Sequence, residues 1–120
     1  MTTVLLVEDS LTDAERVTLC LKRAGVDVIS VTNCEDAQSK LQFQKPDLVI
    51  LDVILPGQSG FELCRKLKNS SDTQHIPVVI CSTKGTEADK LWGRMLGADA
   101  YLAKPVDQNE LTNTVLRLTA

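Results

Sequence analysis

The sequence predicts an α/β fold: a single doubly wound (βα)5 domain in which a parallel sheet carries helices on both faces. Three observations lead there. Apolar runs of strand length alternate with helix-period segments along the whole chain, and no repeat or low-complexity linker interrupts them. At 120 residues and 43% hydrophobic content, the chain has material for one core and no room for a second. Several of the apolar runs end in a carboxylate, hydroxyl or ammonium residue, as strands do when their C-terminal ends open onto one crevice.

Taken in order, Val4-Leu5-Leu6-Val7 is a short buried strand closed by Glu8-Asp9. Ser10-Leu11-Thr12-Asp13 then predicts a capping box, and Leu11, Ala14, Val17, Leu21 and Ala24 recur at helical spacing until Gly25 stops the helix. Val26 to Val31 is the second strand. A helix around Ala37 and Leu41 follows and breaks at Lys45-Pro46, and Leu48 to Leu51 is a strand apolar on both faces. Phe61, Cys64 and Leu67 mark the third helix, and Val78 to Cys81 the fourth strand, with Ser82 at its end. A helix from about Thr86 to Leu96 stops at Gly97. Ala100 to Ala103 is the fifth strand, and Asp107 with Glu110 opens a last helix striped by Leu111, Val115 and Leu118.

Charge and cysteine usage exclude several classes. The net charge is −3, and Lys and Arg are scattered, so no nucleic-acid footprint exists. The N-terminus has no basic and apolar leader pattern, and no apolar run is long enough to span a bilayer, which predicts a cytoplasmic protein without membrane insertion. Cys20, Cys34, Cys64 and Cys81 form no C-x-x-C pair and read as buried reduced thiols. The lone His75 reads as a surface loop residue, too isolated for zinc or a hydrolytic triad.

The chemistry gathers at strand ends. Asp52 closes Leu48-Val49-Ile50-Leu51 and precedes Val53-Ile54-Leu55-Pro56-Gly57, so a carboxylate surfaces from a core strand into a turn. A charge there needs a cation, a metal or a covalent modification to offset lost hydration. Glu8-Asp9, Ser82 and Lys104 end three other strands. In the flavodoxin-like strand order 2-1-3-4-5, the first and third strands are neighbours and bring Glu8, Asp9 and Asp52 together. Three carboxylates in one pocket repel one another unless a hard cation intervenes, and Mg²⁺, or Mn²⁺, suits oxygen ligands of this kind. Each part has a plainer reading. Glu8 and Asp9 also suit a helix N-terminus, Asp52 a turn and Ser82 a strand-end cap. Their coincidence at matching strand ends favours the functional reading.

These residues resemble the receiver domains of bacterial two-component response regulators, typified by the chemotaxis response regulator. The resemblance rests on Val7-Glu8-Asp9-Ser10, on Asp47 to Gly57 with Gly60, on Ile76-Pro77-Val78-Val79, and on Gly97 to Pro105. It covers nearly the whole chain and implies one receiver domain over residues 1–120, either stand-alone or part of a longer protein. It implies the same strand order, so that order does not rest on two independent arguments. It further implies that Asp52 is the phosphoacceptor, attacking a phosphohistidine on a histidine kinase or histidine phosphotransfer protein. Asp9 and Glu8 would then hold the metal with Asp52 and the backbone carbonyl of Ile54. Lys104 would face the phosphoryl oxygens, Ser82 would be the switch hydroxyl and Tyr101 the aromatic that turns inward behind it. Family members more often carry Asp where Glu8 stands, and many carry Thr where Ser82 stands.

The resemblance implies that the signal leaves through the face made by the fourth helix, fifth strand and fifth helix. Moving a 1:99 equilibrium to 99:1 takes about 5.5 kcal/mol, which two or three charge-assisted hydrogen bonds approach. Trp92 lies on the fourth helix as either a packed residue or a partner contact. Thr83-Lys84 and Trp92-Gly93 are similar to regulators of chemotaxis-like systems governing type IV pili. Two other classes fit less well. A phosphatase with an aspartate nucleophile needs a second Asp two residues on, where this chain has Ile54. A flavodoxin-like electron carrier needs stacking aromatics, and these total only 3%.

Overall fold

A computed structural model describes residues 1–120. The strands are β1 (Thr3–Val7), β2 (Asp27–Val31), β3 (Leu48–Leu51), β4 (Val78–Ser82) and β5 (Ala100–Ala103). The helices are α1 (Leu11–Arg23), α2 (Cys34–Phe43), α3 (Gly60–Lys68), α4 (Glu87–Met95) and α5 (Gln108–Thr119). All strand pairs are parallel, and the sheet order is β2-β1-β3-β4-β5. The expected alternation and the expected order are both present.

Successive residues of a strand point to opposite faces, so each central strand feeds two cores. Val4, Leu6, Leu48 and Ile50 pack with Ala14, Val17, Cys20 and Leu21 of α1 and with Leu111 and Val115 of α5. Leu5, Val7, Val49 and Leu51 pack on the other side with Ala37 and Leu41 of α2 and with Leu63, Cys64 and Leu67 of α3. The residues of β3 and β4 are buried throughout, which is what helices on both faces require and why these runs read as continuously apolar. No helix is long and apolar enough to cross a membrane.

Helix starts follow the sequence closely. Ser10, Asn33, Ser59, Thr86 and Asp107 are N-caps whose side chains each accept a backbone N–H of the first turn. Gly25 and Gly97 have φ of 80° and 103° just past the first and fourth helices, the left-handed backbone that favours glycine. Three details depart from expectation. Leu11 is exposed rather than part of the buried stripe, because the face that meets the sheet is set by Ala14, Val17 and Leu21. The second strand begins at Asp27; Val26 is buried ahead of it. The capping box at α1 is half formed: Ser10 Oγ accepts the Asp13 N–H at 3.3 Å, but the Asp13 carboxylate is engaged elsewhere.

The four cysteines are free and buried, and His75 is exposed, as the sequence suggests. Helix α4 is the odd element. Gly93 is its only buried residue, while Leu91, Trp92 and Met95 are exposed.

Candidate functional site

Parallel register carries the chemical residues to one rim. Val7 pairs with Leu51, and Ser82 with Ala103, so Glu8, Asp52, Ser82 and Lys104 all lie at the C-terminal edge of the sheet. The backbone fixes them there. The Asp52 N–H donates to Val7 O at 3.1 Å, the Glu8 N–H to Val31 O at 3.0 Å and the Lys104 N–H to Ser82 O at 3.0 Å. Glu8, Asp52 and Ser82 are all buried.

The Lys104 ammonium is the centre of the cluster. It donates to Asp52 Oδ2 at 2.8 Å, to Asp13 Oδ2 at 3.0 Å and to Glu8 Oε1. Burial opposes its charge, but the hydrogen bonds to Asp52, Glu8 and Asp13 outweigh that and hold it above the ordinary lysine value. Glu8 is held above the ordinary glutamate value chiefly by burial, with Lys104 and the Ser10 N–H pulling the other way. That N–H donates to Glu8 Oε2 at 3.2 Å. Three carboxylates meet one ammonium, so the pocket remains short of positive charge.

Asp13 is the member that sequence reasoning missed. It reads as the N3 residue of a capping box, and the signal that could have found it is geometric: N3 of a helix rising beside β1 faces the end of β5. Gly60 is required by a close backbone approach. Its N–H donates to Val53 O at 2.9 Å, and a Cβ at this position would lie 1.9 Å from Asp52 O. Only a glycine lets α3 begin against the peptide of Asp52.

The remaining expected residues are nearby. Asp52 Oδ1 accepts the Ile54 N–H at 3.1 Å, so both Asp52 oxygens are oriented. Ser82 Oγ accepts the Lys84 N–H at 3.2 Å, and the Tyr101 hydroxyl donates to Lys84 O. Ser82 and Tyr101 are therefore linked through one peptide segment. The Tyr101 ring lies against Phe61 with centroids 6.4 Å apart, and burial followed by the Asp89 and Asp52 charges pushes its phenol up to about 12. Asp9 is exposed at the rim and stands outside the lysine cluster.

The donor set suits a hard divalent cation. Glu8, Asp9 and Asp52 offer only carboxylate oxygens, the Ile54 carbonyl is a further oxygen, and no thiol or imidazole competes, which is the chemistry of Mg²⁺ or Mn²⁺ rather than zinc. No three of the acidic, thiol or imidazole side chains are arranged as a ready-made cage; the carboxylates are instead collected by Lys104.

With this geometry in place, the comparisons with known proteins are direct. The family model for the response regulator receiver domain matches residues 4–116. Protein PilH of Pseudomonas aeruginosa is 39% identical over 115 residues, covering 96% of this chain and 95% of that protein. Among solved structures, a response regulator of Chloroflexus aurantiacus superposes with a TM-score of 0.94 at 34% identity, covering 98% of this chain and 97% of that one. The chemotaxis response regulator CheY4 of Vibrio cholerae gives 0.90 at 30% identity over 98% of each chain. The Mn²⁺-bound form of response regulator Rcp1 gives 0.83 at 30% identity, covering 98% of this chain and 91% of that one. The chain belongs to the receiver domain family of two-component response regulators.

Proposed function

We propose that the chain, read as one receiver over residues 1–120, accepts a phosphoryl group on Asp52 from a histidine kinase or histidine phosphotransfer protein. The observation that carries this is the placement of Asp52: buried at the end of β3, one oxygen held by the Ile54 N–H and the other by Lys104. An Asp52 oxygen attacks phosphorus in the phosphohistidine. The O–P bond forms as the P–N bond breaks, the bonding pair leaves on the imidazole nitrogen, and the products are an aspartyl phosphate and a free histidine. The hydrogen bonds that orient the Asp52 carboxylate, and the Lys104 ammonium already beside it, lower the reorganisation that the step requires.

Asp9, Asp52 and Glu8, with the Ile54 carbonyl, would hold Mg²⁺ or Mn²⁺, which when bound neutralises phosphoryl charge. The manganese in the Rcp1 neighbour supports that choice. Ile54 occupies the place where a phosphatase of this general chemistry needs an acid, so the protein is a phosphoacceptor that assists its own phosphorylation and dephosphorylation rather than a phosphatase of other molecules.

Ser82 donates to the phosphoryl group once it arrives. Its hydroxyl accepts the N–H of Lys84, whose carbonyl takes the Tyr101 hydrogen bond, so withdrawal of Ser82 loosens the hold on Tyr101 and lets the ring turn inward. The readout face is α4, β5 and α5, presented to a protein partner in the cytoplasm. The resemblance to chemotaxis and pilus regulators, together with the PilH and CheY4 relatives, supports a pathway in motility or taxis.

The test is incubation with acetyl phosphate and Mg²⁺ followed by intact mass measurement. One hydroxylamine-labile phosphoryl mass is expected on the parent chain and none on Asp52→Asn. Equal labelling of the two ends the assignment.

A further inference from the structure

Beyond that reading, and resting on it, one residue of the cluster has no assigned part. We infer that Asp13 is a positioning residue that restrains Lys104 in the resting chain and must release it for the phosphoryl group to be fully engaged.

Lys104 has three ammonium protons, and three carboxylates take them: those of Glu8, Asp13 and Asp52. A phosphoryl group brings three strong acceptors to the Asp52 side. The bond to Asp52 can pass to one of them, but any further bond from Lys104 has to come from Glu8 or Asp13. Glu8 is the harder to displace. Its side chain is 4% exposed and its second oxygen is held by the Ser10 N–H, so an abandoned Glu8 would leave a buried charge without its cation.

Asp13 has neither constraint. Its side chain is 36% exposed, and it lines a cleft of about 380 Å³ that runs from α1 to the segment after β5, walled also by Arg16, Val17 and Val106. The cleft gives its carboxylate open space to swing into, with Arg16 on the same wall. Its backbone duty at the helix start is carried by the N–H bonded to Ser10 Oγ, which does not depend on the carboxylate. Asp13 also adds a negative charge within hydrogen-bond reach of the cation that an arriving phosphoryl dianion needs. It therefore opposes transfer in two ways: it occupies one proton of Lys104, and it repels the incoming group.

The test compares Asp13→Asn with Glu15→Gln, which removes an equal charge from an exposed position of the same helix that does not meet Lys104. Labelling of Asp52 by acetyl phosphate is timed at saturating Mg²⁺, and the Lys104 ammonium signal is followed by ¹H–¹⁵N NMR without phosphodonor. Asp13→Asn should label about threefold to fivefold faster than the parent, in keeping with an ion pair whose acid is partly exposed, and should shift the Lys104 signal. Glu15→Gln should do neither. Asp13→Ser repeats the measurement if the Asn variant folds poorly. Equal rates in Asp13→Asn and parent, or equal acceleration in Glu15→Gln, overturn the inference while leaving Asp52 in place as acceptor. A parent that does not label at Asp52 overturns the proposed function and this inference together.

Discussion

The rim of the sheet and helix α4 solve opposite problems with the same chain. At the rim, Glu8, Asp52 and Ser82 are buried, and their polar atoms are held by the backbone or by Lys104. Along α4, polar Asp89 and Lys90 lie half-buried beside Gly93, while Leu91, Trp92 and Met95 are 52%, 49% and 68% exposed. Apolar side chains that point outward contribute nothing to holding the helix against the sheet. On the proposed function, the phosphoacceptor belongs to the stiff region and the partner face to a loosely anchored one, since elements with few buried contacts open at the lowest free-energy cost.

That contrast can be broken most severely at Lys104. Lys104→Ala leaves three carboxylates without their cation and should destabilise the fold by about 3 kcal/mol in urea unfolding, with millimolar Mg²⁺ restoring part of the loss. The sign with pH follows from the direction of the shift. The folded value lies above the unfolded 10.5, so the stabilisation is complete below that value and fades only as pH rises through the folded one. The deficit should therefore persist from neutral pH to about 10. A variant as stable as the parent would mean that the rim is not the stiff region.

A smaller effect is expected at the contact between the two regions. A Cβ on Gly93 would meet Tyr101 Cδ2 at 2.8 Å and Ile80 Cδ1 at 3.2 Å, so Gly93→Ala has to displace α4 or the tyrosine ring. The expected cost is about 1 to 2 kcal/mol, with Trp92 fluorescence altered and the rate of Asp52 labelling unchanged. Slower labelling in this variant would show that α4 is as tightly tied to the rim as the acids are.

The smallest change belongs to Trp92. Trp92→Ala removes a half-exposed ring from the outer side of α4 and should alter unfolding stability by less than about 0.5 kcal/mol. A melting temperature lowered by several degrees would show that the ring anchors the helix and that the outer surface is not free for a partner.

Most of the rim was legible because it is written in residue types at strand ends: an acid after Leu51, acids after Val7, a hydroxyl after Cys81 and a lysine after Ala103. Continuous apolar runs and turn residues locate those ends well, and bringing the acids of β1 and β3 together favours the order β2-β1-β3-β4-β5, which the resemblance also implies. What was not legible depends on angles between elements. Asp13 carries a helix-start signature that is true of its backbone and silent about its side chain. The need for Gly60 comes from the distance between α3 and the Asp52 peptide, which no spacing in the sequence expresses. On α4 the sequence left Trp92 either packed or a partner contact, and the half-buried Asp89 and Lys90 beside Gly93 show that its ring is on the outward side.

The buried thiols have a consequence of a different kind. Cys20, Cys34, Cys64 and Cys81 sit one each on α1, α2, α3 and β4. Burial raises Cys34, pushes Cys64 up to about 11 and Cys81 up to about 12, so these sulfurs are poor nucleophiles while the fold is closed. Alkylation of each of these three must wait for its own element to open. The chain thus carries three internal clocks, on α2, α3 and β4, that can time local opening without any added label.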